Sequence, residues 1–439
     1  MRGSLRRLTP PQWLVSLFII AILIGTGLLK LDFATTEPIS WLDALFTSAS
    51  AMTVTGLIVV DTGSVFTLFG EIVILFLIQL GGLGIMTFAV LIFLLLGKKI
   101  GLKERLLVKQ ALNQNALGGI VLLVKRLFFF SITVEMIAVI LLSLTWGPEM
   151  GWGQGIYASI FHSISAFNNA GFSIWGDSLS AYVQHPVITV VISFLFIIGG
   201  LGFTVVFDSW KTKEFHHLSL HTKIMLVGTL VLNIVSVFII FILEMNNPST
   251  LGQLSDFGKW QASYFQAVTP RTAGFNTLSI SELEHSTLFY LITLMFIGGG
   301  SASTAGGIKL TTALIIILAT VSFLKEREYV VAFERNIRMH LVMRALSLAL
   351  LSIMVVIITV FLLNLTERAP FLDILFESVS AFGTVGLSMG LTPELSVAGK
   401  WIIIVTMLVG KLGPLTFAFA FSKPAKDVVR YPGEDVFTG

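Results

Sequence analysis

The 439-residue chain contains no cysteine. That excludes disulfides, thiolate metal sites and a cysteine nucleophile at once. Charge is scarce as well: Asp, Glu, Lys and Arg make up 12% of residues, against about a quarter in a soluble domain. No phosphate-binding glycine loop, Gly-x-Ser-x-Gly or His-Glu-x-x-His motif occurs. His162, His185, His216, His217 and His221 do not stand at metal-ligand spacing with carboxylates and are read as interface and loop residues. The sequence therefore offers no catalytic constellation, and the expectation is a protein that is not an enzyme.

What is abundant is apolar surface. Hydrophobic residues make up 55% of the chain, and the mean hydropathy is +0.90. Spanning helices need about 20 apolar residues, and eight segments meet or approach that length: 13–31, 66–96, 121–146, 186–207, 224–243, 287–323, 341–363 and 401–421. The basic start (Arg2, Arg6, Arg7) leads into an apolar run too long for a signal peptide and without a cleavage site, so it reads as a first helix with its basic end inside. With a cytoplasmic N-terminus, 21 of the 28 Lys and Arg fall on the inner side and five outside (Lys30, Lys259, Arg271, Arg368, Lys400). This is a positive-inside pattern that also places the C-terminus in the cytoplasm. The pI of about 9.0 thus reports topology, with the lipid bilayer as partner and no nucleic acid. The outer side takes 15 of the 25 carboxylates, which would raise the local cation concentration.

Four outer segments resemble one another: "WLDALFTSASAMTVTGL", "IYASIFHSISAFNNAGF", "WQASYFQAVTPRTAGF" and "FLDILFESVSAFGTVGL". Aligned on Gly56, Gly171, Gly274 and Gly386, an aromatic stands ten residues upstream in each (Phe46, Phe161, Tyr264, Phe376), and a large apolar residue follows (Leu57, Phe172, Phe275, Leu387). Repetition at this scale outranks other signals. Each unit reads as a full helix, a re-entrant half-helix, an extended segment and a second helix. The fold class expected is an all-α integral membrane protein with four such helix, pore half-helix, helix repeats in pseudo-fourfold arrangement around one pore. The repeats divide the chain at 1–96, 97–208, 209–323 and 324–421, followed by a cytoplasmic tail at 422–439.

Non-helical backbone at membrane depth is tolerated where protein buries it or where it lines water, and four re-entrant segments can share one axis. Helix C-termini carry about half a negative charge, so four of them favour a cation. Rings of backbone carbonyls replace the hydration shell of a monovalent cation in potassium-channel filters of the TVGYG type, which "TVTGL" partly echoes. The candidate filter is Thr53, Val54, Thr55 and Gly56 with Asn168, Asn169, Ala170 and Gly171, then Arg271, Thr272, Ala273 and Gly274, then Gly383, Thr384, Val385 and Gly386. Small upstream residues such as Ser48, Ser50 and Ala51 would allow close packing behind it. A glycine after a helix is also the commonest C-cap, which is the plain alternative at any one of these loops.

Each second helix carries a glycine cluster, "QLGGLGIMTF", "IGGLGFTVVF", "IGGGSASTAGGIKL" and "VGKLGPLTF". Close packing explains three of them. In the third, Gly298, Gly299, Gly300, Ser301, Ala302, Ser303, Thr304, Ala305, Gly306 and Gly307 run without one large side chain, a poor helix since each Gly costs about 1 kcal/mol relative to Ala. This run is read as a mobile gate below the filter. Lys309 closes it and would pair with a carboxylate, and Lys411 stands within the fourth cluster. Both sit where a charge costs at least about 2.5 kcal/mol. Glu135, deep in a first helix, would be protonated or lysine-paired, and Arg271 would direct its guanidinium away from the pore.

On these motifs the chain resembles the Trk/Ktr/HKT superfamily of potassium transporters from about residue 13 to 421, most like the membrane subunit of bacterial Ktr systems. The resemblance implies potassium uptake across the bacterial cytoplasmic membrane by a channel-like mechanism, with the membrane potential as driving force. A carrier with alternating access is the other class weighed. By the same resemblance, K+ is the transported ion, Na+ an activator, and Lys411 a pore-facing electrostatic barrier below the filter. The chain would form a homodimer on a cytoplasmic ring of RCK subunits, which bind ATP or ADP. The inner segments 98–109 and 325–344 are candidate docking surfaces.

Overall fold

The computed structural model describes residues 9–84, 120–421 and 434. Arg2, Arg6 and Arg7, the basic segment 98–109 and the tail 422–439, Glu434 apart, lie outside the described residues. The chain opens with α1 (Pro10–Leu29), the short α2 (Trp41–Thr53) and α3 (Leu68–Leu83). Next come α4 (Ile120–Met150), α5 (Trp152–Phe167), α6 (Pro186–Leu201) and α7 (Phe203–Lys211). They are followed by α8 (Leu220–Glu244), α9 (Asp256–Val268), α10 (His285–Phe296) and α11 (Leu310–Leu324). A hairpin of β1 (Val330–Ala332) and β2 (Arg335–Ile337) leads into α12 (Met339–Thr366), α13 (Phe371–Gly383), α14 (Val397–Leu412) and α15 (Pro414–Phe421).

Of the eight expected spans, four are single helices of spanning length: α1, α4, α8 and α12. Three others are interrupted, and the run 66–96 is described only as far as Gly84. Gly202 takes φ 98°, ψ 132°, a conformation open to glycine and closed to ordinary residues, and α7 leaves α6 at 94°. Gly413 repeats it at φ 84°, ψ 136°, with 101° between α14 and α15. The glycine clusters therefore do two things. Gly81, Gly199 and Gly410 provide the expected close packing: a Cβ there would collide with the carbonyl oxygens of Met52, Phe167 and Phe382, each four residues before an aligned glycine. Three residues later, the last glycine of each cluster ends the helix.

The short helices α2, α5, α9 and α13 form the centre. At about 1.5 Å per residue, a 13-residue helix such as α2 or α13 reaches only part-way through a hydrocarbon core of about 30 Å. Ser40 and Ser255 cap α2 and α9 by accepting from the Asp43 and Gly258 amides at 3.0 and 3.1 Å. The aligned aromatics Phe46, Phe161 and Phe376 are wholly buried, as are Phe172 and Phe275, while the Tyr264 hydroxyl meets that of Ser193 at 3.0 Å. Outward faces are apolar, with Leu23 and Ile24 of α1, Leu230 and Ile242 of α8, and Ile357 and Phe361 of α12 exposed. A multi-pass membrane protein results, with lipid covering those faces.

The all-α expectation needs one correction. Within the inner segment 325–344, β1 and β2 pair antiparallel, Val330 with Ile337 and Ala332 with Arg335. Phe333 and Glu334 take φ of 49° and 61°, the two left-handed residues that a tight hairpin turn requires.

Candidate functional site

The C-terminal ends of the four short helices converge on the aligned glycines. A Cβ on Gly56 would lie 3.2 Å from the Gly171 Cα, one on Gly171 2.9 Å from the Gly274 Cα, and one on Gly386 3.0 Å from the Gly56 Cα. A Cβ on Gly274 would collide with the Val385 carbonyl oxygen, one residue before Gly386. The four segments thus close a ring in the order 56, 171, 274, 386. No position around it has room for a side chain directed at its neighbour.

The backbone of each segment switches hand. Gly56, Gly171, Gly274 and Gly386 have φ of 90°, 67°, 78° and 91°, and Val54, Asn169, Thr272 and Thr384, two residues earlier, have 56°, 59°, 76° and 50°. The residues between them keep negative φ. In a strand, successive carbonyls alternate sides; reversing φ at every second residue turns alternate peptides over and brings successive carbonyls to one side. For β-branched Val54, Thr272 and Thr384 a positive φ is an outlier, strain of the kind held at functional sites.

These outliers also settle what caps the helices. Val54 N–H donates to Ala51 O at 3.0 Å and Thr55 N–H to Ser50 O at 2.8 Å; Asn169 and Ala170, and Thr384 and Val385, repeat the pair. This is the Schellman arrangement, usually built on glycine, here built on Val54, Asn169 and Thr384. The aligned glycines are not the caps. Thr53 and Gly383, expected in the extended segments, are the last helical residues of α2 and α13, and Asn168 is in helical conformation at the end of α5. The extended path starts one residue later because the Schellman bonds hold the last turn closed.

Hydroxyls fasten the ring from behind. Ser50 and Ser380, six residues before their glycines, accept from the Gly56 and Gly386 amides at 3.1 and 3.2 Å. Ser165, also at six, donates to Phe172 O at 2.7 Å, and Thr269, at five, to Phe275 O at 2.5 Å. Sequence reading took Ser50 as merely small and passed over Ser165, Thr269 and Ser380. A hydroxyl five or six residues before each aligned glycine is the signal. Glu377 was also missed: wholly buried in α13, it accepts from Ser388 Oγ at 2.7 Å and from the Thr392 hydroxyl, holding the chain just beyond Gly386.

The glycine-rich run is non-helical and seated against the ring. Ile297 and Ile308 bridge across its neck. Gly300 N–H donates to Gly200 O at 2.7 Å, Thr304 N–H to Gly199 O at 3.2 Å and Phe203 N–H to Ala302 O at 2.9 Å. Thr304 Oγ1 donates to Asn169 Oδ1 at 2.9 Å, and Asn169 Nδ2 to Thr272 Oγ1 at 3.3 Å. A Cβ on Gly306 would strike the Thr384 side chain. Lys411 Nζ donates to Thr304 O at 2.5 Å. Lys309 Nζ donates to Ala305 O at 2.6 Å, so carbonyls of its own loop satisfy it rather than the carboxylate expected.

The remaining polar groups resolve similarly. Arg271 turns its guanidinium to α8, donating to Asn233 Oδ1 at 3.0 Å and Thr229 Oγ1 at 3.4 Å. Among the described residues, Glu135 accepts from Gln79 Nε2 at 3.2 Å and not from a lysine. His162 is a correction: it is wholly buried, stacked on Trp175 at 4.2 Å and bonded to Ala158 O and Ser173 Oγ. Its place in the middle of α5, facing the protein interior, makes it core rather than interface.

Such a ring of helix ends and turned backbone at the centre of a membrane protein defines a cation-transport protein, and the comparisons agree. Residues 8–431 match the family model TrkH, described as a cation transport protein. The Ktr system potassium uptake protein B of Bacillus subtilis is 56% identical over 433 residues, covering 99% of this chain and 97% of that protein. Its namesake from Vibrio alginolyticus is 43% identical, covering 98% and 95%. The potassium/sodium uptake protein NtpJ of Enterococcus hirae is 38% identical, covering 99% and 98%. The crystal structure of the potassium transporter TrkH from Vibrio parahaemolyticus shares the fold, with a TM-score of 0.77 at 21% identity, covering 96% of this chain and 87% of that one. The chain belongs to the TrkH/Ktr family of cation transport proteins.

Proposed function

We propose that this chain is the pore-forming membrane subunit of a potassium uptake system. The single observation that carries the reading is the closed ring of four hand-switching segments at the ends of four short helices. Carbonyls brought to one side of each segment, from the helix ends through Gly56, Gly171, Gly274 and Gly386, replace the water of a K+ ion. The partial negative charge of four helix C-termini favours the cation. The repeats at 1–96, 97–208, 209–323 and 324–421 supply one segment each, around one pore. The loop 298–307, tied to Asn169 and Lys411, obstructs the path below the ring and moves aside to open it. Driven by the membrane potential, about 2.3 kcal/mol per charge per 100 mV, K+ enters the cytoplasm, where both termini lie.

The names of the relatives as Ktr system proteins support a regulatory partner. In this reading the chain is a homodimer on a nucleotide-binding RCK ring. The name of NtpJ, with both potassium and sodium in it, suits Na+ as activator. Complementation of a potassium-uptake-deficient bacterium, with sodium as competitor, tests the function. Growth at low potassium with K+ preferred over Na+ is expected; absence of K+ preference in the wild-type chain would end the proposal.

A further inference from the structure

Glu135 lies in α4, is 6% exposed, and has no part in the conduction path described. A carboxylate at such depth is costly and marks function. Its surroundings lead to the ring. Gln79 Nε2 donates to Glu135 Oε1 and Oε2 at 3.2 and 3.4 Å. Asn168 Nδ2 donates to Gln79 Oε1 at 2.6 Å, to Ile164 O at 2.9 Å and to Glu135 Oε1 at 3.5 Å. Behind Asn168 stands Gly82, where a Cβ would collide with the carboxamide. The residue after Asn168 is the left-handed Asn169, which touches Thr272 of the next segment and Thr304 of the loop.

An amide can point either way, whereas a carboxylate only accepts. Glu135 therefore fixes Gln79 with its NH2 inward, which leaves Gln79 Oε1 facing Asn168. Arg271 is tied to α8 in a comparable way. Thr53 bonds only within its own segment, and Gly383 has no side chain to tie. Two of the four segments are thus held from outside the ring.

Resting on the pore reading above, we infer that Glu135 is a positioning residue for ion selectivity, acting through Gln79 and Asn168 on the second segment. It works as a hydrogen-bond acceptor rather than as a charge. The test is K+ uptake with Na+ as competitor, in cells, with membrane abundance measured alongside. Glu135→Leu lowers K+ preference over Na+ by about tenfold, the scale of leaving the Gln79 amide without its acceptor. Glu135→Gln, whose Oε1 still accepts, stays within about twofold. Gln79→Met, which breaks the chain from the other helix, reproduces the loss even if Glu135→Leu does not assemble. Glu135→Leu combined with Asn168→Ala is no worse than Asn168→Ala alone, since residues acting in series are not additive. An unchanged ion ratio in Gln79→Met, equal losses in Glu135→Gln and Glu135→Leu, or additive effects in the double variant would each overturn the inference. A wild type that fails to prefer K+ would instead overturn the pore reading, so the two failures are separable.

Discussion

Removing the ammonium that holds the loop should open the pathway. Lys411 Nζ donates to Thr304 O at 2.5 Å, a charge-assisted bond. Such bonds contribute about 1.5–3 kcal/mol, and each 1.4 kcal/mol is a factor of about ten in an equilibrium constant. With the loop obstructing as proposed, Lys411→Met shifts the balance towards the displaced loop by about 10- to 100-fold. It also removes a positive charge from the path of a cation. Thr304→Val, which keeps the shape and loses only the bond from Thr304 Oγ1 to Asn169, gives a smaller rise of about 2- to 10-fold by the same arithmetic. The assay is rubidium-tracer uptake into proteoliposomes of the purified chain at fixed membrane potential, without its partner. Lys411→Arg, which keeps the donor, serves as the control. Tracer uptake at or below the wild-type rate in Lys411→Met, at equal incorporation, would refute the reasoning.

On the proposed gate reading, deleting residues 299–304 should raise tracer uptake at least as far as Lys411→Met; an unchanged rate would take the gate from that loop. Gly56→Ser forces a side chain towards the Ala170 carbonyl at φ 90°, so K+ preference over Na+ should fall sharply in competitive uptake; retained preference would show that the ring does not select. Ser50→Ala frees the Gly56 amide held at 3.1 Å, and a net bond of about 1 kcal/mol predicts a several-fold loss of the same preference; full retention would remove the hydroxyl from the selection mechanism. In the first turn of α2, partly buried Asp43 accepts from Lys400 at 2.7 Å. Burial pushes its carboxyl up, but the bonds from Lys400 and Ser40 prevail and hold it below the ordinary 3.8. Its stabilisation is therefore complete above that ordinary value and is lost as pH falls through the lowered one. Asp43→Asn should cost about 1 kcal/mol or less at neutral pH and flatten the acid limb of a melting-temperature profile in detergent; an unaltered acid limb would contradict the sign.

Much of this centre was legible in the sequence because its parts repeat. The glycines at 56, 171, 274 and 386 aligned on their aromatics, and the structure brings them together. The loop 298–307 stood out because ten small residues cannot sustain a helix. The breaks at Gly202 and Gly413 were not legible: "GGLG" and "GKLG" look alike whether a helix packs or turns, and only backbone angles separate the two. Val54 and Thr384 as left-handed caps ran against propensity, since β-branched residues avoid that region. The Schellman bonds close around them, and the packing of each segment against its neighbour at the aligned glycines is a tertiary demand that a local pattern does not carry. Glu135 was visible as an anomaly, but its partners Gln79 and Asn168 lie 56 and 33 residues away, beyond any local pattern.

Because all four walls of the ring are written in one polypeptide, a single codon alters one quadrant and leaves three intact. A pore assembled from four identical subunits has no such freedom: every substitution there is imposed in quadruplicate. Here a lone spectroscopic label, or one introduced cysteine in a chain that has none, reports from a single known side of the axis. The unlike corners Thr53, Asn168, Arg271 and Gly383 are a product of that independence.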